Sequence, residues 1–466
     1  MIATKEGGVQ YEHSLDHAIE FWSKAGSMFT KKESFYEGEE SALSLFQKTW
    51  IVDKELSFRL LLWLRDARGG SGNRSGFREC INWVANRDPK WVELNIKWIP
   101  EVGRWDDLRS LFGTPAEATA VALWKSAIDA KDVLAAKWAD RKDKPLKHAC
   151  GFKEEGRFRR FLASIRKNHI VEHKMSTSRW NEIEYHTVPS LAMARYTNAF
   201  GKHDEERFNK YKENLKSGKE TVHADVLFPH DCVRTVLNGD RDIANAQFAA
   251  LPNYLEGVDE RIIVISDTSG SMECSVSGSV QAVHISQGMA LYCSAKIAED
   301  NPFYKKFVGF CSEGSFKDWN GMSFSEAVGN NHIFDGAVGS TRIDKALDLI
   351  LKTAKFFSLK DDQMPTALLI VSDMQFHSGY YGGAENIAEI PRAIGRWNEA
   401  GYSTPKIIYW NTAGYAGSPD TADSDNVALV SGFSPAVLKA IFAGADLTAR
   451  GVMLRALEKY DIVVPT

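Results

Sequence analysis

The chain runs to 466 residues, 44% hydrophobic and 25% charged, the balance of a globular protein with length for about two to four domains. No apolar run is long enough to span a bilayer and Met1 to Gly8 carry no apolar signal core, so a cytoplasmic protein with no membrane partner is expected. Six scattered cysteines without a Cys-x-x-Cys pair argue against a zinc cage or a disulfide framework. The formal net charge of −4 is uneven: residues 1–257 sum to +3, which leaves −7 for residues 258–466. Residues 141–180 alone carry twelve Lys and Arg against four carboxylates, a surplus of eight that points to an anionic partner.

From Asp53 the apolar positions Leu56, Leu60, Trp63 and Leu64 fall at helical spacing, and Phe77, Ile81 and Val84 repeat the pattern after a Gly-rich loop. Trp91, Leu94, Ile96, Trp98 and Ile99 continue it, with Pro100 read as a stop. Short amphipathic helices without strand-like alternation predict an α-helical repeat domain over residues 1–257, although no fixed period is visible. Residues 201–257 are expected to hold its last helices and the crossing into the second domain.

After Asp259 the pattern alternates. Strands are predicted at Arg261 to Ser266, Phe307 to Cys311, Thr366 to Ser372, Lys406 to Trp410 and Val427 to Val430. Helices are predicted at Val280 to Glu299, Arg342 to Phe357, Ile387 to Glu399 and Pro435 to Phe442. Strands alternating with helices predict a doubly wound, mostly parallel α/β domain over residues 258–466.

The string Ile-Val-Ile-Ser-Asp-Thr-Ser-Gly-Ser-Met, from Ile263, ends its strand on Asp267, Ser269 and Ser271 at alternate positions of a turn relieved by Gly270. One carboxylate and two hydroxyls converging in this way suit Mg²⁺ or another divalent cation that keeps open positions. Such a string alone is also ordinary turn and cap chemistry. It resembles the metal-ion-dependent adhesion site of von Willebrand factor A domains. The resemblance implies that Thr341, after a Gly-rich loop, and Asp373, at the end of a second apolar strand, complete the site.

Four strings in the helical half stand beside this one: Leu-Arg-Asp-Ala-Arg-Gly-Gly-Ser-Gly-Asn-Arg from Leu64, Ile-Pro-Glu-Val-Gly-Arg-Trp-Asp-Asp-Leu from Ile99, Ala-Lys-Trp-Ala-Asp-Arg-Lys from Ala136, and Val-Pro-Ser-Leu-Ala-Met-Ala-Arg-Tyr from Val188. With the adhesion-type site and Ser-Asp-Met-Gln-Phe at Ser372, they resemble the Ro/TROVE family and its viral and phage-like relatives. The resemblance implies a HEAT-like, ring-closing helical domain followed by a Rossmann-like von Willebrand A domain. It also implies a non-catalytic protein that binds small structured or single-stranded RNA in quality control or scaffolding.

The basic block would supply Arg141, Lys142, Lys144, Lys147, Arg157, Arg159, Arg160, Arg166 and Lys167 to phosphates. Phe158 and Phe161, three apart on one helical face, belong in the core rather than under bases. Around the loop after Leu64, two readings stay open. Gly69, Gly70 and Gly72 would bring backbone amides to a phosphate between Arg65, Arg68 and Arg74; or the loop is a helix cap with its arginines paired to Asp66 and Glu79. It lacks the Lys-Ser/Thr ending of a nucleotide loop. Gly103 to Asp107 reads as a capped helix start with Trp105 packed between repeats.

His230 with Asp231 reads as an interdomain hydrogen-bonding pair, and His284 and His332, near the metal loops, as structural. No nucleophile with a base stands at a recognised spacing, so no enzyme is expected. A competing reading is a protein-interaction adaptor whose metal takes a carboxylate from a partner, as in partners of AAA+ ATPases; in a third, the metal only stabilises the fold.

Overall fold

The computed structural model describes residues 2–3, 9–10, 14, 16–28, 41–167, 169–224, 227–277, 280–334, 341–376, 389–414, 418–421, 424–444 and 447–466. The Gly-rich loop before Thr341 and the expected helix start at Ile387 lie outside them.

The first half is helical from Ala42–Val52 to Arg241–Ala249, in short elements whose ends are set by local chemistry. Asp53, Asn73, Asp132 and Asp240 each accept a backbone N–H three residues on, satisfying an orphan donor of the helix each one opens. Pro100 does not end a helix as expected. It sits at the third position of Trp98–Val102, in the first turn, where a missing N–H removes no intrahelical bond. Ile183, Tyr185, Phe200, Phe208 and Tyr211 form a satellite core late in this half; the other helices share one continuous core with the second half.

The second half is a six-stranded mixed sheet. We label its strands β1 (Ile262–Asp267), β2 (Lys306–Phe310), β3 (Gly314–Asp318), β4 (Ala367–Ser372), β5 (Lys406–Asn411) and β6 (Val427–Ser431). The order is β6-β5-β4-β1-β2-β3, with every pairing parallel except that of β2 and β3. Every residue of β1, β4 and β6 is buried, as parallel strands covered on both faces must be. The strand order reverses at β1, so the crevice between the C-terminal ends of β1 and β4 is the place where such sheets bind ligands.

The helical half meets the sheet domain at both of its ends. At its start, Ser27 Oγ donates to the Asn411 carbonyl (2.5 Å) and Ser431 Oγ to the Trp22 carbonyl (2.6 Å), tying the helix His17–Lys24 and its following turn to the ends of β5 and β6. At its finish, the helix Pro229–Leu237 lies against Ala282–Lys296. The C-terminal segment returns as well, with Asn95 Nδ2 donating to the Val463 carbonyl and Oδ1 accepting from its N–H (2.8 and 2.7 Å). The chain thereby closes on itself. No described helix is long and apolar enough to cross a membrane.

The contact of Ala282–Lys296 with Pro229–Leu237 depends on Gly288, where a Cβ would lie 2.7 Å from the His230 backbone nitrogen and 2.8 Å from the Pro229 carbonyl carbon. Backbone cannot give way as a side-chain tip can. Gly288→Ala should therefore cost about 1–3 kcal/mol in urea unfolding, despite the better helix propensity of alanine. An unchanged or raised midpoint would show that the two helices do not pack this closely.

Candidate functional site

Asp267 closes β1 and Asp373 follows β4, so parallel pairing at Ser266 and Val371 brings the two carboxylates to the switch point side by side. Both are fully buried. Asp267 Oδ1 accepts the Ser269 N–H at 2.9 Å and Oδ2 accepts the Ser372 hydroxyl at 2.5 Å. Ser269 Oγ lies 3.2 Å from Ser271 Oγ and accepts from Thr341 Oγ1 at 3.0 Å. Asp373 Oδ1 accepts the Gln375 N–H at 3.1 Å. All five expected residues thus gather at one place, three hydroxyls beside two carboxylates.

Burial first, and the neighbouring Asp373 second, push the Asp267 carboxyl up to about 7. Two carboxylates in a dry pocket, one of them poised near neutrality, fit a divalent cation; the hydroxyls add hard, neutral donors. The donor set leans on hydroxyls, and among the described residues no group of three or more His, Cys, Asp or Glu could hold a metal. Met374, just past Asp373, has φ 63°, a left-handed conformation uncommon for a side chain with a Cβ and of the kind that collects at ligand-holding turns. His284 serves locally, its Nδ1 accepting the Gln281 N–H at 3.2 Å, and His332 is exposed.

Sequence reasoning missed Ser372, the hydroxyl bonded to Asp267. Its signal was present: a Ser immediately before the second Asp, at the end of an otherwise apolar strand.

The basic block divides. On the helix Glu155–Arg166, Phe158, Leu162 and Ile165 are buried while Arg157, Arg159 and Arg160 stand in solvent. Phe152 packs on Phe158 and on Phe161, with ring centroids 5.5 and 5.0 Å apart. Lys142, Lys144 and Lys167 are exposed, and Arg166 is half-buried with Nε bonded to the Leu162 carbonyl. Arg141 and Arg157 face Glu155 and Glu154 across exposed gaps of 3.7 and 3.2 Å, pairs worth little in water. Lys147 is buried at 6% exposure and is withdrawn from the surface expected of it.

The loop after Leu64 resolves towards its capping reading. The Arg68 and Gly69 amides go to the Asp66 carboxylate, those of Gly70 and Gly72 to the Asp66 carbonyl, and Ser71 and Asn73 to Trp63 and Leu64, so no backbone cradle is left for a phosphate. Asp66 pairs with Lys459 and the Tyr460 hydroxyl rather than with an arginine of the loop. Arg65 is buried and donates to Asp107 (2.7 Å), a carboxylate that also takes Arg78 Nε (2.7 Å) and the Arg104 N–H (2.9 Å). Gly103 permits this cluster, since a Cβ there would sit 2.5 Å from Asp107 Oδ2. Gly103 to Asp107 does open a helix, a 3-10 turn over Trp105–Leu111. Only the side chains of Arg68 and Arg74 remain exposed from the expected trio.

Fold and site together define a class: a helical protein that closes on a doubly wound sheet with a cluster of buried oxygen side chains at its switch point. By the match of residues 4–147 and 152–262 to its model, the chain belongs to the family described as Domain of unknown function (DUF2828). Residues 261–458 match a second model, Domain of unknown function (DUF7788). A relative in Acanthamoeba polyphaga mimivirus, Uncharacterized protein L728, is 25% identical over 90% of this chain and 82% of its own length. Among solved structures, the Deinococcus radiodurans RO (RSR) protein is similar over 95% of this chain and 99% of the other, with TM-score 0.47 and 13% identity. A likeness so distant carries no residue or ligand across.

Proposed function

We propose that this protein binds RNA without catalysing its reaction, taking small structured or single-stranded RNA on the exposed cations of residues 141–167 in a quality-control or scaffolding role. The observation that carries the reading is the division of the helix Glu155–Arg166, whose aromatic side enters the core while Arg157, Arg159 and Arg160 face solvent. Arg159 has no ion-pair partner among the described residues, which leaves its charge for phosphate. We propose further that Asp267, Ser269, Ser271, Thr341 and Asp373 hold Mg²⁺ or another divalent cation, which would supply a fixed positive charge to the crevice.

Binding of a hairpin and of a single-stranded RNA across a salt series tests the first part. Log affinity should fall linearly with log salt, by roughly 0.7 per neutralised phosphate of a single strand, and Arg159→Glu with Arg160→Glu should weaken binding at least about tenfold while lowering the slope by 1 to 2. Micromolar or weaker binding with no salt slope overturns it. Asp267→Ala should leave RNA affinity nearly intact because the cations lie in the other half. If that variant instead abolishes capture of a protein partner while RNA binding is absent throughout, the adaptor reading, with a partner carboxylate on the metal, takes its place.

A further inference from the structure

Where the start, middle and end of the helical half converge on the sheet domain, they enclose a cavity of about 470 Å³. Arg68, Arg74 and Arg104 line it together with Trp105, Phe228 and His230, and Val280 and Phe433 close it from the sheet domain. Its charges do not balance. Behind the wall, Asp106 and Asp107 are shared among Arg65, Arg78 and Arg104, and Arg109 reaches Asp106 while pairing mainly with Asp143, four cations on three carboxylates. The carboxylate in the cavity's own lining, Asp231, caps its helix by accepting the Phe228 N–H at 3.0 Å. Arg68 and Arg74 have no side-chain hydrogen bond or ion pair among the described residues and add two further positive charges. Burial, with Arg104, Arg65 and Arg78 nearby, holds the Arg74 guanidinium below its ordinary range, as expected of a cation among cations.

A surplus of guanidinium groups around one cavity favours an anion, and their forked donors match the oxygens of a phosphate. The rest of the wall is aromatic. The Arg104 guanidinium already lies 3.9 Å from the Trp138 ring centroid, while Trp105 is half-buried and Phe228 stacks on His230 with centroids 5.6 Å apart. His230 is 4% exposed, and its Nδ1 has no partner among the described residues, so the wall also offers a buried polar atom. We infer that this cavity binds one nucleoside phosphate, with the phosphate on Arg68 and Arg74 and the base against the aromatic wall. Its volume lies low in the range of small-molecule sites, which suits a single nucleotide rather than a strand. The inference does not need the exposed cations of residues 141–167, and rests on the RNA reading only if the nucleotide belongs to a chain.

The test is calorimetric titration of the full chain with AMP, adenosine, inorganic phosphate, and a five-nucleotide RNA with and without a 3′-phosphate. AMP or the 3′-phosphorylated RNA should bind at least about tenfold more tightly than adenosine, phosphate or the unphosphorylated RNA. Arg68→Gln with Arg74→Gln should erase that preference at an unchanged melting temperature, both side chains being exposed. Tighter binding of the RNA end than of AMP assigns the nucleotide to a chain; equal or tighter binding of AMP assigns a free nucleotide. Adenosine binding as well as AMP, phosphate binding as well as AMP, or a double variant that keeps the preference each overturns the inference. Arg159→Glu with Arg160→Glu should leave the preference intact, which separates this failure from failure of the RNA proposal.

Discussion

Without divalent cations, the native protein should lose stability between about pH 5.5 and pH 8 relative to Asp267→Asn, by on the order of 2 kcal/mol, and Mg²⁺ should restore the loss at the upper pH only. Burial and Asp373 raise the Asp267 carboxyl to about 7, whereas the unfolded chain releases that proton near pH 4. Between these values the native state holds a proton that the unfolded state does not. The group's contribution is therefore fully present below the unfolded value and is lost as pH rises through the folded one. A divalent cation replaces the proton as the partner of the two buried carboxylates, and so stabilises only the state from which the proton has left. His230 and His284 are held below their ordinary range by burial, which gives a gain of stability over part of the same window, so the difference between native protein and variant is the quantity to read. Thermal melts at the two pH values, with and without Mg²⁺, check it. Equal Mg²⁺ shifts in both proteins, or parallel pH profiles, would remove Asp267 from the metal site.

Asp267 and Asp373 were legible as positions because strand ends are legible: a run such as Ala367 to Ser372 is buried on both faces and must stop at the sheet's edge, so the polar residue just beyond it faces the crevice. Thr341, ahead of a helix, was reached only through the resemblance. The helical alternation was legible for a similar reason. β3 was not. Gly314–Asp318 has one buried residue, Lys317, and leaves Phe316 43% exposed, so an antiparallel edge strand of this kind has no apolar pattern to read. The arginines were harder still. Arg65 and Arg68 stand three apart in one loop, yet Arg65 is buried on Asp107 and Arg68 opens onto the cavity. Charge counted along the chain cannot tell a cation that meets a carboxylate forty-two residues away from one that meets none. Lys147 fails likewise, since its place in the last turn of Lys144–Ala149 buries it whatever its neighbours carry.

The largest single loss of stability is expected from Asp107→Ala. Asp107 is fully buried, and its two oxygens accept from Arg65, Arg78 and the Arg104 backbone. Removing it leaves Arg65, 4% exposed, with no carboxylate and with Arg78 and Arg104 as like-charged neighbours. Breaking one side of a buried pair costs about 3–5 kcal/mol, far more than the intact pair contributes over an apolar replacement, because the abandoned charge stays dry. The urea midpoint should fall accordingly at unchanged slope. Asp107→Asn keeps an acceptor for one guanidinium and should lose less. The same substitution deepens the positive surplus of the adjoining cavity, so a phosphate-bearing ligand that binds the folded chain should recover more stability in Asp107→Ala than in the native protein. If AMP raises both melting temperatures equally, the arginines of the cavity do not sense the charge of Asp107; if neither AMP nor the 3′-phosphorylated RNA raises them, the cavity holds no such ligand.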